Sequence, residues 1–129
     1  MHPRTISNAL GVLRAAGGAA MLLPAAYSFL STDGNVAAFG LPALGALAVG
    51  AVLFFLTPVP GACVSGRDVL LIVVLGWIEV AASLGSLPFI ISGLMGPMDA
   101  FFEAIAGFTT TGASTIQTLE RVPPSLPLW

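Results

Sequence analysis

The chain contains no lysine, one histidine and one cysteine, and its charge is sparse: four arginines and six acids in 129 residues. Charged residues make up 8% of the sequence and hydrophobic ones 57%, whereas a soluble domain carries roughly 25% charged residues. So few charges cannot cover a water-facing surface, and the chain reads as a membrane protein or a piece of one. Without a basic patch, nucleic-acid binding is excluded. Cys63 cannot form an internal disulfide and reads as inert filler. His2, alone near the terminus, cannot anchor a metal site by itself. The long apolar runs carry only Glu79 as a possible acid–base group near their middle, with no histidine–acid pair, which argues against a membrane-embedded enzyme.

What the chain does have is three apolar runs. The first spans about Leu10 to Leu30, with Arg14 in its first turn and Pro24 inside. The second spans about Val36 to Leu56 without a charge. At about 1.5 Å per residue it reaches about 31 Å, the thickness of a hydrocarbon core. The third spans about Val69 to Ile91 and includes Glu79 and Pro88. The two prolines are expected to kink their helices or mark their ends. The first run is longer than the apolar part of a signal peptide and is followed at once by another span, so it is read as retained. Ser31–Asn35 is a turn on composition, and Thr57–Asp68, with Pro58, Pro60, Gly61 and Gly66, is a polar loop. The tail from Ser114 to Trp129 has too many prolines and charges to span. Arg4, Arg14 and Arg67 place the N-terminus and the 57–68 loop in the cytoplasm by the positive-inside rule.

After the third run comes a Gly-Pro break and a short candidate helix from about Pro97 to Ala106, too short to cross a bilayer. Pro97 suits a first helical position and Asp99 a first-turn carboxylate. Then follows Gly107-Phe108-Thr109-Thr110-Thr111-Gly112-Ala113-Ser114-Thr115. Threonines and glycine at this density do not pack a core. They can hold main-chain carbonyls in an extended line, and carbonyls replace the hydration shell of an alkali cation without binding it too tightly to leave. Threonine favours extended backbone, and Gly112 can take a positive φ. Span, half-helix, then a filter-like strand is the layout of a pore loop. The alternative is a small accessory or structural membrane protein whose threonine-rich loop is only a loop. The motif occurs once in these residues.

Asp99-Ala100-Phe101-Phe102-Glu103 followed by Gly107–Ala113 resembles the first pore loop of the Trk/Ktr potassium-uptake family, and specifically its TrkH-type membrane subunit. Met1-His2, Arg4, Asp33-Gly34, Leu71–Leu75 with Trp77, and Leu87-Pro88-Phe89-Ile90 match in order, so the resemblance covers nearly the whole chain. It implies an all-α integral membrane fold: three transmembrane helices, then a re-entrant pore half-helix and filter strand, the first part of a four-fold pseudo-repeat potassium-channel-like fold. Residues 1–57 would be two N-terminal helices preceding the pore units and 58–68 a cytoplasmic loop. Residues 69–129 would be pore unit one, cut before its second helix. The resemblance puts potassium on the carbonyls of Thr110 and Thr111, with Thr109, Gly112 and Ala113 beside them and Glu103, Asp99 and Gly107 as support. It further implies potassium uptake across a bacterial cytoplasmic (inner) membrane, a homodimer when full length and a cytosolic nucleotide-binding regulatory subunit. The chain is expected to be an N-terminal fragment that conducts nothing alone.

The remaining side chains have plainer readings. Glu79 is expected to be a neutral, hydrogen-bonded carboxyl facing another helix, with cation attraction as the alternative, so that glutamine there leaves uptake near normal. Arg14 is expected to snorkel to the cytoplasmic interface. Asp99 reads as a helix-start carboxylate, and Glu103 as a brace for filter N–H groups, a cation attractor or a solvated mouth residue. Phe101, Phe102 and Phe108 read as packing, and Trp77 and Trp129 as interfacial anchors or packing.

Overall fold

A computed structural model of the chain describes residues 2–59, 64–116, 122–127 and 129. Cys63, Glu120 and Arg121 lie outside the described residues. The described residues with regular structure are helical. The elements are α1 (Pro3–Ser31), α2 (Val36–Leu56), α3 (Gly66–Glu79), a π-helical segment (Val80–Gly85), α4 (Leu87–Ile91) and α5 (Pro97–Phe108). Among the described residues, three helical stretches, Pro3–Ser31, Val36–Leu56 and Gly66–Ile91, are long and apolar enough to cross a membrane.

The second span has the boundaries expected of it. The first starts seven residues earlier than Leu10, because Pro3 sits at the helix start, where its missing N–H costs nothing. The third starts at Gly66, inside the expected 57–68 loop. Ser65 and Asp68 form a capping box: the Ser65 side chain accepts from the Asp68 N–H, and the Asp68 carboxylate accepts from the Ser65 N–H. The third span is also not a uniform helix. Pro88 has no N–H to give the carbonyl four residues back, and its ring would press on that turn. The helix widens just before it, with the Ser86 N–H donating to the Ala81 carbonyl at 3.1 Å. Ser83 and Ser86 hydroxyls donate to the carbonyls of Glu79 and Ala82 at 2.7 and 2.6 Å, a back-bonding that bends helices. Pro88 thus marks a helix start, while Pro24 and Pro42 lie inside α1 and α2.

The pairing of α1 with α2 is close because small residues face each other. A Cβ added to Gly50 would lie 2.7 Å from the Gly11 carbonyl oxygen, and one added to Gly18 would lie 3.0 Å from that of Ala43. Backbones this near gain dispersion contacts along their length, the usual source of helix association in lipid. Asn8 on α1 donates to the Phe54 and Thr57 carbonyls at 3.2 and 3.0 Å, satisfying two acceptors at the end of α2. Gly50→Leu is expected to destabilise this pair by about 1–3 kcal/mol through overpacking, whereas Gly40→Leu, where added volume meets nothing within 4 Å, changes little. Unfolding in mixed detergent micelles measures the difference.

The core joins Met21 and Ala25 of α1, Phe39, Ala43 and Ala46 of α2, Val80 and Leu84 of the π segment, and Val122 and Leu126 of the tail. Outward, Leu23, Phe29, Leu30, Phe55, Leu56 and Leu70 are exposed, a surface suited to acyl chains. The tail is tied down at the α1–α2 turn. Asp33 accepts hydrogen bonds from the Ser28 hydroxyl, the Asn35 N–H at 3.1 Å and the Ser125 N–H at 3.3 Å. Partial burial raises its pKa, but the bonds from Ser125, Ser28 and Asn35 outweigh this and hold the carboxyl below its ordinary 3.8. A lowered carboxyl stabilises fully above its ordinary pKa and loses that contribution as pH falls through the lowered value. Tail docking is therefore expected to be flat from neutral pH down to the ordinary carboxylate range and to weaken below it. Asp33→Asn is expected to loosen it by about 1 kcal/mol, read as faster hydrogen exchange at the Ser125 amide.

Candidate functional site

The short helix after the Gly-Pro break is seated on the widened turn of the third span. Gly96 is extended, with ψ 165°, Pro97 opens α5, and Asp99 lies in the first turn without a side-chain capping bond. Asp99 therefore acts on α5 only through the favourable placement of a carboxylate near a helix N-terminus. Ala100 and Ala106 are buried, and Gly85 approaches so closely that an added Cβ would lie 2.6 Å from the Cβ of Ala104. Phe108 meets Trp77 edge to face, with ring centroids 6.5 Å apart and an interplanar angle of 80°. These two aromatics pack on each other, while Phe102 and Phe108 keep about half their surface exposed.

The end of α5 is more specific than a loop. The Thr110 N–H donates to the Gly107 carbonyl at 3.1 Å, and the Thr111 N–H to the Ala106 carbonyl at 2.9 Å. With Thr109 as the cap residue, this pair of bonds is a Schellman closure, whose left-handed position is normally glycine. Here it is Thr110, at φ 56°. A β-branched residue in that region is an outlier, and the conformation costs roughly 1–2 kcal/mol. Thr32 is also left-handed, at the end of α1, so the conformation alone marks a helix end. The segment after Thr110 differs in having a second left-handed residue, Gly112, at φ 71°. The expected extended strand over Thr109–Ala113 is thus corrected: Thr109 and Thr110 complete a helix-closing turn, because the last carbonyls of α5 need donors, and α5 runs to Phe108 rather than Ala106.

Side chains hold this shape locally. Thr109 Oγ1 donates to the Ile105 carbonyl and lies 2.7 Å from Thr111 Oγ1, and Thr110 Oγ1 donates to the Thr109 carbonyl at 2.7 Å. Residues 110–115 are exposed, and among the described residues no atom beyond its chain neighbours lies within 4 Å of a Cβ built on Gly112. Gly107 contributes its carbonyl to the closure, and a Cβ there would also meet open space.

Glu103 reaches across to the far side of the segment. Its Oε1 accepts from the Ser114 hydroxyl at 2.7 Å, the Thr115 hydroxyl at 3.0 Å and the Thr115 N–H. Burial raises its pKa, but the bonds from Ser114 and Thr115 and from the Ile116 backbone prevail and hold it below the ordinary 4.5. Of the three readings of Glu103, bracing is the one with visible partners, though the braced N–H is Thr115 rather than one of residues 109–113. Glu103 also borders an apolar cavity of ≈ 520 Å³ between α1, the π segment, α5 and the tail.

Two arrangements differ from or add to the sequence reading. Arg14 does not snorkel: its Nη1 lies 2.6 Å from Glu79 Oε1. Glu79 faces another helix, as expected, but it meets an arginine there, and the expectation that glutamine is harmless loses its basis. Burying either partner alone at that depth is costlier than keeping both. Asp68, passed over as a loop residue, is fully buried. It accepts from the His2 backbone N–H at 3.1 Å and the Ser65 hydroxyl at 2.8 Å, and its Oδ2 lies 2.9 Å from His2 Nδ1. The Ser-Gly-Arg-Asp spacing at 65–68 carried the capping half of this signal, but nothing local pointed to His2.

No protein-family model matches the chain. The Trk system potassium uptake protein TrkH of Salmonella typhimurium is 37% identical over 128 residues, which cover 98% of this chain and 26% of that protein. The TrkH of Escherichia coli K12 is 36% identical over the same coverage. The crystal structure of the potassium transporter TrkH from Vibrio parahaemolyticus superposes with a TM-score of 0.89 at 35% identity, covering 98% of this chain and 27% of that one. The chain is similar to one part of the TrkH proteins. It spans about a quarter of the length of the TrkH relatives it matches, with 26% coverage in each of these two proteins. Likeness to TrkH at this level, in sequence and in fold together, makes it a multi-pass membrane chain and not merely an apolar one.

Proposed function

We propose that the chain forms the first part of a potassium path in a TrkH-type uptake protein. In this reading residues 1–57 are a helix pair outside the path, 58–68 face the cytoplasm, and α3 to α4 form the first helix of a pore unit. α5 re-enters the inner membrane from the outer face as its half-helix. The carbonyls of Thr109–Ala113, chiefly those of Thr110 and Thr111, replace water around a potassium ion, which is cargo rather than a resident cofactor. Glu103 holds the segment from behind. The carbonyl ends of α5 add a negative potential that favours a cation.

The observation that carries this reading is the pair of left-handed residues, Thr110 and Gly112, in an uncovered segment directly after a half-helix seated on a membrane span. Two such turns two residues apart redirect successive carbonyls, and irregular backbone near membrane depth is tolerated only inside protein or along a water-filled cavity. A path needs several such segments facing one axis, so these residues alone are inactive. The same reading includes a homodimer of the full-length protein and a cytosolic nucleotide-binding regulatory subunit as its partners.

The test is growth and rubidium uptake in a host without its own potassium uptake. The intact protein carrying these residues is expected to restore both. Liposomes holding only residues 1–129 are expected to show no flux. Failure of the intact protein to restore uptake at normal membrane abundance would overturn the reading.

A further inference from the structure

We infer that the Arg14–Glu79 ion pair is a positioning device: it sets the rotation of the π segment on which α5 rests, and so the placement of the threonine–glycine segment. This rests on the reading of residues 97–113 as part of an ion path.

Both partners lie deep in their spans. Arg14 is 11 residues into α1 and Glu79 is 13 residues into the Gly66–Ile91 stretch, roughly 16 and 20 Å along the axis at about 1.5 Å per residue. An ion pair at such depth is little screened by salt and holds its geometry tightly. Glu79 is also the last α-helical residue before the widened turn. Its carboxylate Oε1 receives Arg14 on one side and the Ser83 hydroxyl, at 3.1 Å, on the other, and that same hydroxyl donates to the Glu79 carbonyl at 2.7 Å. The linkage therefore runs from α1 through Glu79 to the middle of the π segment. Two residues further, Gly85 carries Ala104 of α5 in tight contact. One turn beyond, α5 ends in the Schellman closure at Thr110.

A device selected for stability alone would look different. The pair keeps about a quarter of each side chain exposed, 26% for Arg14 and 25% for Glu79. Arg14 Nε and Glu79 Oε2 are buried without a hydrogen-bond partner among the described residues. Apolar residues of similar size would stabilise as well or better. Local rules broken in this way gather where geometry matters to function.

The experiment measures rubidium uptake, and its competition by sodium, in the intact protein at matched membrane abundance. Glu79→Gln and Arg14→Gln are each expected to lower the maximal rate about tenfold and to weaken the preference over sodium. The charge-swapped double variant Arg14→Glu/Glu79→Arg is expected to recover to within about threefold of the parent, as coupled residues do. Ser83→Ala, which leaves the pair intact and removes its link to the π segment together with the hydroxyl's bond to the Glu79 carbonyl, is expected to lower the rate about threefold. Normal uptake and selectivity in the single variants would overturn the inference, as would a swap no better than its singles, or unchanged transport in Ser83→Ala should the charge variants fail to accumulate. Gly112→Ser separates the two levels: if it transports normally, the ion-path reading itself fails. If it is inactive while the Arg14, Glu79 and Ser83 variants behave as the parent, only the positioning inference falls.

Discussion

Serine in place of Gly112 is expected to cut rubidium uptake by the intact protein at least about tenfold with no loss of membrane abundance. Volume is not the cause, because among the described residues an added Cβ would meet nothing within 4 Å beyond its chain neighbours. Conformation is. At φ 71° an L-residue pays roughly 1–2 kcal/mol, and Thr110 already bears one such cost two residues earlier. A second would shift the backbone toward negative φ and swing the carbonyls of Thr111 and Gly112 off their directions. Gly96→Ser, at an extended helix-capping glycine with the same open space, is the control and is expected to transport within about twofold, since serine is a preferred cap. Normal transport by the Gly112 variant would remove the case for a carbonyl path here.

Glu103→Ala is expected to have the next largest effect. It deletes one carboxylate oxygen that accepts from Ser114 Oγ, Thr115 Oγ1 and the Thr115 N–H. Hydrogen bonds to a charged group contribute about 1.5–3 kcal/mol when sheltered, and Ser114 and Thr115 are exposed, so the whole network is worth about 1–2 kcal/mol after solvent screening. The expected results are faster hydrogen exchange at the Thr115 amide and a clear fall in uptake, with Glu103→Gln intermediate because it keeps an acceptor without the charge. The sign of the pH dependence follows from the lowered pKa. The brace is complete above the ordinary glutamate value of 4.5 and is lost as pH falls through the lowered one. Through this group, uptake is therefore flat across neutral pH and declines only in acid. Unchanged exchange at Thr115 in the alanine variant would show that the bonds hold nothing in place.

What could be read from sequence was whatever is written locally. The second span was legible to its ends because it carries no charge and is bounded by an Asp-Gly-Asn turn. The short helix α5 was legible because Gly96-Pro97 opens it, although its last turn was missed: Gly107 and Phe108 look like the start of a loop until the Schellman bonds are seen. The left-handed state of Gly112 could be expected from residue type, but that of Thr110 could not, since threonine resists it. The widened turn of the third span was hidden because its causes, Pro88 and two serines, also occur in ordinary helices. Least visible were the pairings between distant residues. Arg14 and Glu79 are 65 positions apart and each taken alone had a plausible solitary role; His2 and Asp68 are 66 apart, and neither had one. The all-helical class and the three spans were thus readable, and the polar contacts that fix their relative placement were not.

The anchoring of Ser125 at the Asp33 turn bridges 92 positions, which has a bearing on the order of assembly. The α1–α2 hairpin consists of neighbours in sequence and can form as soon as it leaves the ribosome. The threonine stretch emerges later, held by α5 through the helix-closing turn and through Glu103, and the tail beyond it must find a turn made long before. Its final contour is therefore imposed late, by helices already in place, so errors in their packing accumulate there while errors within the stretch leave the surrounding bundle intact.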